Sequence, residues 1–217
     1  KDKKISKLFD DLISYLIIGI ILGGRLGYVL FYNTKYYLNN LVEIPMIWLG
    51  GMSFHGGLIG VLIATIIFSK KHNINKYIFL DLISASAPIG IFLGRISNFI
   101  NSELYGRETD VFWSVVFVKV DNFPRHPSQI YEALLEGLLL FFIMFLFTKK
   151  NYLKKPGIIS SLFLIFYSIF RFYTEFYRVP DEQLGFIFLN LTMGQIISLV
   201  FFCFGFYLFS IKKNENK

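Results

Sequence analysis

The sequence predicts an all-α polytopic membrane protein, with about six transmembrane helices and a small external cap between the third and fourth of them. Three observations predict this fold class. Hydrophobic residues make up 54% of the 217-residue chain and charged residues only 17%; the mean hydropathy is +0.54; and long apolar runs recur along the chain. A soluble domain of this length needs more surface charge than this composition supplies.

Six apolar runs approach the length needed to cross about 30 Å of hydrocarbon. They are residues 12–31, 45–68, 78–95, 131–147, 157–177 and 192–211. The third and fourth are shorter than about 20 residues, so we expect each to extend into its flanking motif or to dip only partly through the bilayer. No repeat or linker divides the chain, so residues 1–217 are predicted to form a single membrane-embedded domain.

The longest connection, residues 96–130, is predicted to be the external loop or cap. Within it, Val111 to Val120 is apolar, too short to span and rich in strand formers. We expect a small hairpin or a cap there.

The basic residues predict the orientation of the spans. Fourteen lysines fall in the segments 1–11, 69–77, 148–156 and 212–217, whereas the opposite segments hold five basic residues. The positive-inside tendency therefore places both termini in the cytoplasm. Three arginines remain, in or at the ends of spans: Arg25, Arg95 and Arg171.

Composition and motifs exclude several classes of function. Despite the net charge of +7, we predict no nucleic-acid partner, because most lysines lie in short blocks between apolar runs and do not form one basic face. A single cysteine excludes an internal disulfide framework and a cysteine-based metal cluster. Phosphate loops, HExxH and G-x-S-x-G motifs do not occur. We therefore predict no metal site and no cofactor.

The start of the chain carries its own expectation. The first apolar run is too long for a removable signal peptide and lacks a small-residue cleavage site. The sequence begins with Lys1 rather than Met, so we expect that an N-terminal piece precedes it.

Glycines at four-residue spacing predict close helix packing. They are Gly19, Gly23 and Gly27 in the first span, Gly56 and Gly60 in the second, and Gly90 and Gly94 in the third. This pattern is common in membrane proteins of every function and indicates no chemistry alone.

Arginines in spans do indicate something more, because an unpaired guanidinium at mid-bilayer costs at least about 2.5 kcal/mol. Tyr167, Arg171, Glu175 and Arg178 follow one helix face. The plain interpretation is that Arg171 pairs with Glu175 one turn later. Alternatively, two guanidiniums and one carboxylate leave one net positive charge, which suits a phosphate.

A second polar cluster runs from Gly94 to Arg107. Arg95 and Asn98 share a helix face, and Asn101 and Glu103 lie in what reads as a turn that could hold a polar head group. An ordinary interfacial asparagine turn is the alternative.

Two blocks contain histidine. His55 precedes two glycines in or near the external half of the second span. It is either a packing or interfacial residue, or a general base or hydrogen-bond donor. In the run from Arg125 to Gly137, Gln129, Glu132 and Glu136 share one helix face, and the two glutamates are candidates to pair with the span arginines.

Together, these blocks resemble the bacterial prolipoprotein diacylglyceryl transferases. The resemblance rests on Gly23-Gly24-Arg25-Leu26-Gly27-Tyr28, the block from His55, the run Gly94 to Gly106, the block from His126, Arg171 to Gly185, and Met193-Gly194-Gln195. They occur in the family's order and cover nearly the whole chain. Ser97 and Ser102 stand where the family usually has glycine.

The resemblance implies a seven-helix membrane bundle with a periplasmic cap, of which this chain is expected to lack the first helix. It implies transfer of the diacylglyceryl group of phosphatidylglycerol to the lipobox cysteine of a preprolipoprotein in the bacterial inner membrane. The partners would be phosphatidylglycerol, the lipobox and signal peptide, and membrane lipid. The sequence does not indicate an oligomeric state.

The reaction requires a phosphate site and an activated thiol. We expect Arg95 and Arg171 to clamp the phosphate, while Asn98, Asn101 and Glu103 hold its glycerol head. His55 is the expected proton acceptor; an alternative role for Arg171 is indirect activation of the thiol. The catalytic candidates are His55, Arg95 and Arg171, and the substrate-binding candidates are Arg95, Asn98, Asn101, Glu103, Gly106, Tyr167, Glu175, Arg178, Arg25 and Glu132.

Two other classes compete with this interpretation. Polar residues in spans also mark small-solute or ion transporters, although here the charges gather toward the external ends and no repeated half is seen. A structural membrane subunit would use its glycine faces for assembly only. Lipidation of a lipobox peptide would discriminate among the three.

Overall fold

The computed structural model describes residues 2–180, 185–188 and 190–215, excepting the side chains of residues 2–7, 9, 54, 55 and 188. The chain is mostly helical. The α-helices are α1 Asp2–Phe31, α2 Thr34–Asn39, α3 Phe54–Lys71, α4 Lys76–Asn101, α5 Ser128–Glu132, α6 Leu140–Lys149, α7 Ile158–Thr174 and α8 Met193–Glu215. A π-helix, Ala133–Leu139, joins α5 to α6, and short 3-10 turns lie at Leu41–Glu43, Ile47–Leu49 and Tyr152–Lys154.

Four helical segments are long and apolar enough to cross a membrane among the described residues. They are Asp10–Phe31, Lys76–Asn101, Ser128–Lys149 and Met193–Glu215. A shorter apolar helix, Ile158–Thr174, corresponds to the predicted span 157–177. The predicted span 45–68 is α-helical only from Phe54 onward. Ser53 caps the start of α3: its side-chain oxygen accepts a hydrogen bond from the Gly56 amide.

Helix α4 is longer than the predicted apolar run 78–95. Asn98 lies in the helix as predicted, and the residues after it continue the helix to Asn101 instead of starting the predicted turn. The helix ends where Ser102 and Leu104 adopt left-handed backbone angles, with φ of 62° and 53°. The turn predicted for Asn101 and Glu103 therefore begins one residue after Asn101.

The chain forms two compact units, Lys1–Leu80 and Asp81–Lys217. In the first, α1 and α3 pack closely through the predicted glycines. A Cβ on Gly23 would collide with the Gly56 carbonyl oxygen, and one on Gly27 would lie 2.8 Å from Gly56 Cα. The small-residue face is confirmed for these two helices.

The corresponding prediction for the third span is wrong. A Cβ added to Gly90 or Gly94 would meet no described atom within 4 Å. Spacing alone does not identify a packing partner.

In the second unit, a buried carboxylate anchors the start of α7. Asp81 is fully buried; its Oδ2 accepts a hydrogen bond from the Gly157 amide at 2.7 Å, and its Oδ1 accepts one from the Ser160 amide at 2.7 Å. Helix N-termini have unsatisfied amides and a partial positive charge, so both favour this carboxylate. An apolar core continues beside it, formed by Leu140, Met144, Ile158, Ile159 and Leu162.

The connection from α4 to α5 contains little regular structure. Strands β1 Val115–Val116 and β2 Pro124–Arg125 pair antiparallel, with Val115 opposite Arg125. Most of the predicted strand-forming stretch from Val111 to Val120 is irregular, so only a minimal hairpin is found. A second small sheet pairs β3 Phe186–Phe188 with β4 Leu191–Thr192 just before α8.

Candidate functional site

A buried network of arginines and glutamates lies in the second unit. Helix α4 contributes Arg95, the end of α5 contributes Glu132, the π-helix contributes Glu136, and α7 contributes Arg171. Helix α4 and the π-helix approach closely enough to form the network because Gly137 has no side chain. A Cβ on Gly137 would lie 2.7 Å from Phe92 Cβ. Single π-helical turns occur frequently at functional sites.

Glu132 is the centre of this network. Its Oε2 lies 2.6 Å from Arg171 Nη1 and 2.9 Å from Arg95 Nη2. Glu136 Oε2 lies 3.4 Å from Arg95 Nη2, and Glu136 Oε1 lies 3.6 Å from Arg171 Nη1. Both glutamates are fully buried. The predicted pairing of these glutamates with span arginines is confirmed.

The network continues past the end of α7. Arg171 Nη2 lies 2.6 Å from Glu175 Oε2, which confirms the predicted pair one turn apart, and Arg178 Nη1 lies 4.0 Å from the same oxygen. Counting Arg95, three guanidiniums face three carboxylates, so their formal charges cancel. The α7 stripe of Arg171, Glu175 and Arg178 has one net positive charge, as counted from the sequence, and Glu132, Glu136 and Arg95 together bring the formal charge of the whole network to zero.

The two central arginines differ in what they leave free. Both Nη atoms of Arg171 contact carboxylates. Arg95 contacts them through Nη2 alone, its Nε and Nη1 donate no hydrogen bond to a described residue, and its side chain is 18% exposed. Arg95 can therefore accept a further anion without losing a carboxylate partner.

Two threonines and a glycine support the glutamates, and the sequence interpretation gave them no role. Thr174 Oγ1 donates to Glu136 Oε1 at 2.9 Å, and Thr192 Oγ1 donates to Glu175 Oε1 at 3.1 Å. A Cβ on Gly194 would lie 2.7 Å from Glu175 Oε1. The available signal was their position: Thr174 adjoins Glu175, and Gly194 lies in the Met-Gly-Gln block.

The predicted head-group residues lie at and beyond the end of α4. Asn98 is half-buried, whereas Asn101 and Glu103 are exposed. The start of α5 holds the turn in place: Gln129 Nε2 donates to the Glu103 carbonyl at 2.7 Å, and Ser128 Oγ donates to the Leu104 carbonyl at 3.2 Å. The sequence gave no indication of these two anchors.

Gly106 has a steric explanation. It forms a bridge with Arg178 and donates its amide to the His126 carbonyl at 3.1 Å. A Cβ there would collide with that carbonyl oxygen and lie 2.8 Å from the Tyr177 carbonyl oxygen. The absence of a side chain therefore brings three chain segments together.

Tyr167 lies one turn before Arg171 on α7. Its ring stacks on Phe163 at a centroid distance of 5.6 Å, and its hydroxyl donates no hydrogen bond to the part of the chain that the structure describes. It is thus available to a ligand.

Arg25 lies in the first unit, where its guanidinium donates hydrogen bonds to backbone carbonyls. It donates to the carbonyls of Glu43 and Ile44, each at 2.7 Å, and to those of Gly50 and Gly51. It also lies over the Tyr37 ring, 5.1 Å from its centroid. Arg25 thereby holds the loop between α2 and α3. The side chain of His55, in the first turn of α3, lies outside the described residues.

An aromatic group surrounds His126 before α5. His126 Nδ1 lies 3.1 Å from the Tyr131 hydroxyl, which also accepts a hydrogen bond from Trp113 Nε1 at 2.6 Å. Partial burial lowers the pKa of His126 below its ordinary value. The imidazole is therefore neutral at neutral pH.

Nearby, the Arg125 guanidinium forms a bidentate ion pair with the Asp121 carboxylate, in which Nη2 and Oδ2 are 2.6 Å apart. The hydrogen bond from this guanidinium lowers the pKa of the Asp121 carboxyl. Among the described residues, no group of three or more His, Cys, Asp or Glu side chains could hold a metal ion.

Comparison with known proteins agrees with the sequence resemblance. The family model for prolipoprotein diacylglyceryl transferase matches residues 1–211. A phosphatidylglycerol–prolipoprotein diacylglyceryl transferase of Rickettsia bellii is 53% identical over 203 residues, covering 93% of this chain and 77% of the relative. The corresponding transferases of Rickettsia felis and Rhodospirillum rubrum are 51% and 50% identical, covering 96% and 95% of this chain and 81% and 76% of those relatives. The chain is therefore a multi-pass membrane protein that belongs to the prolipoprotein diacylglyceryl transferase family.

Proposed function

We propose that this chain transfers the sn-1,2-diacylglyceryl group of phosphatidylglycerol to the cysteine thiol of a preprolipoprotein lipobox. The observation that carries this proposal is the partly exposed guanidinium of Arg95, which has free N–H donors beside a fully buried pair of glutamates. Relatives that are about half identical carry this activity in their names.

The bond changes define what the site must do. The cysteine sulfur forms a C–S bond to the terminal glyceryl carbon of the diacylglyceryl group. The C–O bond from that carbon to the phosphate breaks, and its electron pair leaves with the oxygen of glycerol phosphate. The thiol proton passes to a base. The site must therefore bind the phosphate diester and stabilise the negative charge that the leaving phosphate gains.

In this proposal Arg95 binds the phosphate through Nε and Nη1, and Asn98, Asn101 and Glu103 contact the head group. Charge-assisted hydrogen bonds from a guanidinium suit a phosphate. Tyr167 and Gly106 border the same site. His55 is proposed as the base that receives the thiol proton.

Arg171 acts as a positioning residue in this scheme rather than as the second half of a phosphate clamp. Its two Nη atoms are bound to Glu132 and Glu175, so binding a phosphate directly would require one of these ion pairs to open. Glu175 and Arg178 extend the network, and Arg25 supports the first unit through the loop after α2.

We also propose the membrane arrangement that the basic residues predict. Six spans cross the bacterial inner membrane as one domain, with residues 96–130 as an external cap, the active site toward the periplasmic face and the C-terminus in the cytoplasm. Cysteine accessibility labelling at Lys119 and Lys213 would test the two faces. Labelling of both positions from the same side would contradict this topology.

A lipidation assay tests the activity. Purified full chain in detergent, given phosphatidylglycerol with labelled acyl chains and a lipobox peptide, should yield a thioether-linked lipopeptide. A peptide with serine in place of the cysteine is the substrate control. Arg95→Ala should lose at least about a hundredfold in kcat/KM, whereas the exposed-residue control Lys119→Ala should retain activity. A wild-type chain that forms no thioether would contradict the proposed function.

A further inference from the structure

Two buried oxygen atoms beside the arginine–glutamate network lack a hydrogen-bond donor. They are Gln129 Oε1 and Glu132 Oε1, neither of which finds a donor among the described residues. Both side chains are fully buried. Buried polar atoms without a partner are rare, because the free energy of their lost hydration is not recovered.

The orientation of the Gln129 amide follows from its other bond. Gln129 Nε2 donates to the Glu103 carbonyl at 2.7 Å. Since a carbonyl oxygen only accepts, the amide nitrogen must face Glu103, and the amide oxygen faces the opposite way. Gln129 Oε1 is therefore held in place as an acceptor.

Glu132 is fixed in a similar way. Its Oε2 receives both Arg171 and Arg95, at 2.6 Å and 2.9 Å, and this leaves Oε1 for a different donor. Residues three apart on α5 share one helix face. The two free acceptors thus belong to the same face of α5, with the free N–H groups of Arg95 beside Glu132.

We propose that Gln129 Oε1 and Glu132 Oε1 form a head-group subsite that accepts hydrogen bonds from the hydroxyls of the lipid substrate. This inference rests on the proposed transferase function. A phosphate cannot occupy the subsite, because its oxygens would face two acceptors. In phosphatidylglycerol the donors next to the phosphate are the two free hydroxyls of the head-group glycerol. Arg95 therefore binds the phosphate, while Gln129 Oε1 and Glu132 Oε1 accept hydrogen bonds from the hydroxyls.

The charge balance of the network favours neutral donors over a cation. The carboxylate of Glu132 already faces two guanidiniums, and an amide oxygen carries no charge. An ammonium head group would therefore gain little at the subsite and would lie near Arg95.

The test compares wild-type kcat/KM on two lipids with the same acyl chains and phosphodiester. Phosphatidylglycerol has head-group hydroxyls, whereas phosphatidylpropanol has none. We expect phosphatidylglycerol to be preferred by about tenfold to a hundredfold, because the analogue leaves buried acceptors unpaired. Equal use of the two lipids would overturn the inference, as would equal use of phosphatidylethanolamine. Failure to use any of them would instead contradict the proposed function.

Two variants then assign the preference to Gln129. Gln129→Met keeps the side-chain length but removes the acceptor, and should lower the phosphatidylglycerol preference by about tenfold. Ser128→Ala is the matched control, because it removes the neighbouring bond to the same turn and leaves the acceptor pair in place; its preference should equal that of the wild type. If both variants lose activity on the two lipids equally, Gln129 only supports the turn and the inference fails. If Gln129→Met does not fold, equal use of the two lipids by the wild type still overturns the inference, and Gln129→Leu then takes the place of the methionine variant.

Discussion

Arg171 and Glu132 form a buried ion pair, with Nη1 and Oε2 2.6 Å apart. The pair joins α7 to the end of α5, and Arg95 approaches the same carboxylate oxygen from α4 at 2.9 Å. One carboxylate thereby connects three helices. Removing the Glu132 carboxylate or one of its arginine partners should destabilise the protein, because each single change leaves other charges buried without a counterpart.

We expect Arg171→Met to lower the free energy of unfolding by about 3–5 kcal/mol, because Glu132 and Glu175 lose their principal partner. The double variant Arg171→Met, Glu132→Gln should be destabilised by less than the sum of the two single variants. Unfolding in mixed detergent, followed by circular dichroism, measures all three. Additive single effects would mean that the two side chains are not energetically coupled.

Gly194 should tolerate no larger side chain, because a Cβ would lie 2.7 Å from the Glu175 carboxylate. Gly194→Ala is expected to lower the free energy of unfolding by about 1–3 kcal/mol and to reduce transferase activity. Gly90→Ala is the matched control, since its Cβ would meet no described atom within 4 Å; it should be neutral or stabilising by about 0.5–1 kcal/mol. Equal melting temperatures for the two variants would show that Glu175 shifts freely.

General physical rules about backbone and charge in a bilayer allowed much of the fold and of the network to be predicted. Backbone N–H and C=O groups in a bilayer must be hydrogen-bonded within the protein, and a single apolar run achieves this as an α-helix, so the apolar runs located the helices. A guanidinium in a span needs a counter-charge, which predicted Glu132 and Glu136 as partners. The partners of Arg25 were not predictable in this way, because they are backbone carbonyls that carry no side-chain signature. The role of Gln129 was missed for the same reason, since its partner is the Glu103 carbonyl.

Errors arose where a local pattern left its partner unspecified. The spacing of Gly90 and Gly94 matched that of Gly56 and Gly60, yet only the second pair meets another helix. The end of α4 was misplaced because polar residues were interpreted as a turn. The helix ends because Ser102 adopts a left-handed backbone conformation. A serine in a sequence does not indicate that conformation.

That residue provides a stability prediction. Ser102 has φ of 62°, a conformation that costs a residue with a Cβ about 1–2 kcal/mol relative to glycine. Ser102→Gly should therefore raise the free energy of unfolding by about 1 kcal/mol. Ser97→Gly, inside α4, should lower it by about 0.5–1 kcal/mol. Thermal unfolding compares the two, and destabilisation by both variants would contradict the role given to the backbone at Ser102.

Asp81 provides a further stability test, away from the network. Asp81→Asn should destabilise the protein by about 1–3 kcal/mol, because an amide nitrogen would replace one of two oxygens that accept backbone hydrogen bonds at the start of α7. Asp121→Asn makes the same chemical change in the partly exposed pair with Arg125 and should cost less than Asp81→Asn does. Denaturant midpoints of the two variants decide between them. An Asp81 variant as stable as the Asp121 variant would mean that the buried carboxylate does not anchor α7.

His126 predicts a dependence of stability on pH. Burial holds its pKa in the folded protein below its ordinary value, so the unfolded chain binds a proton more readily than the folded one. The stability that neutral His126 contributes is therefore present above about pH 6.5 and is lost as the pH falls through the folded pKa. Melting temperatures of the wild type and of His126→Gln, measured from pH 8 to pH 5, isolate this contribution from those of His55 and His72. The wild type should lose more stability on acidification than the variant, and a difference that stays constant over this range would mean that the His126 pKa is the same in the folded and unfolded chains.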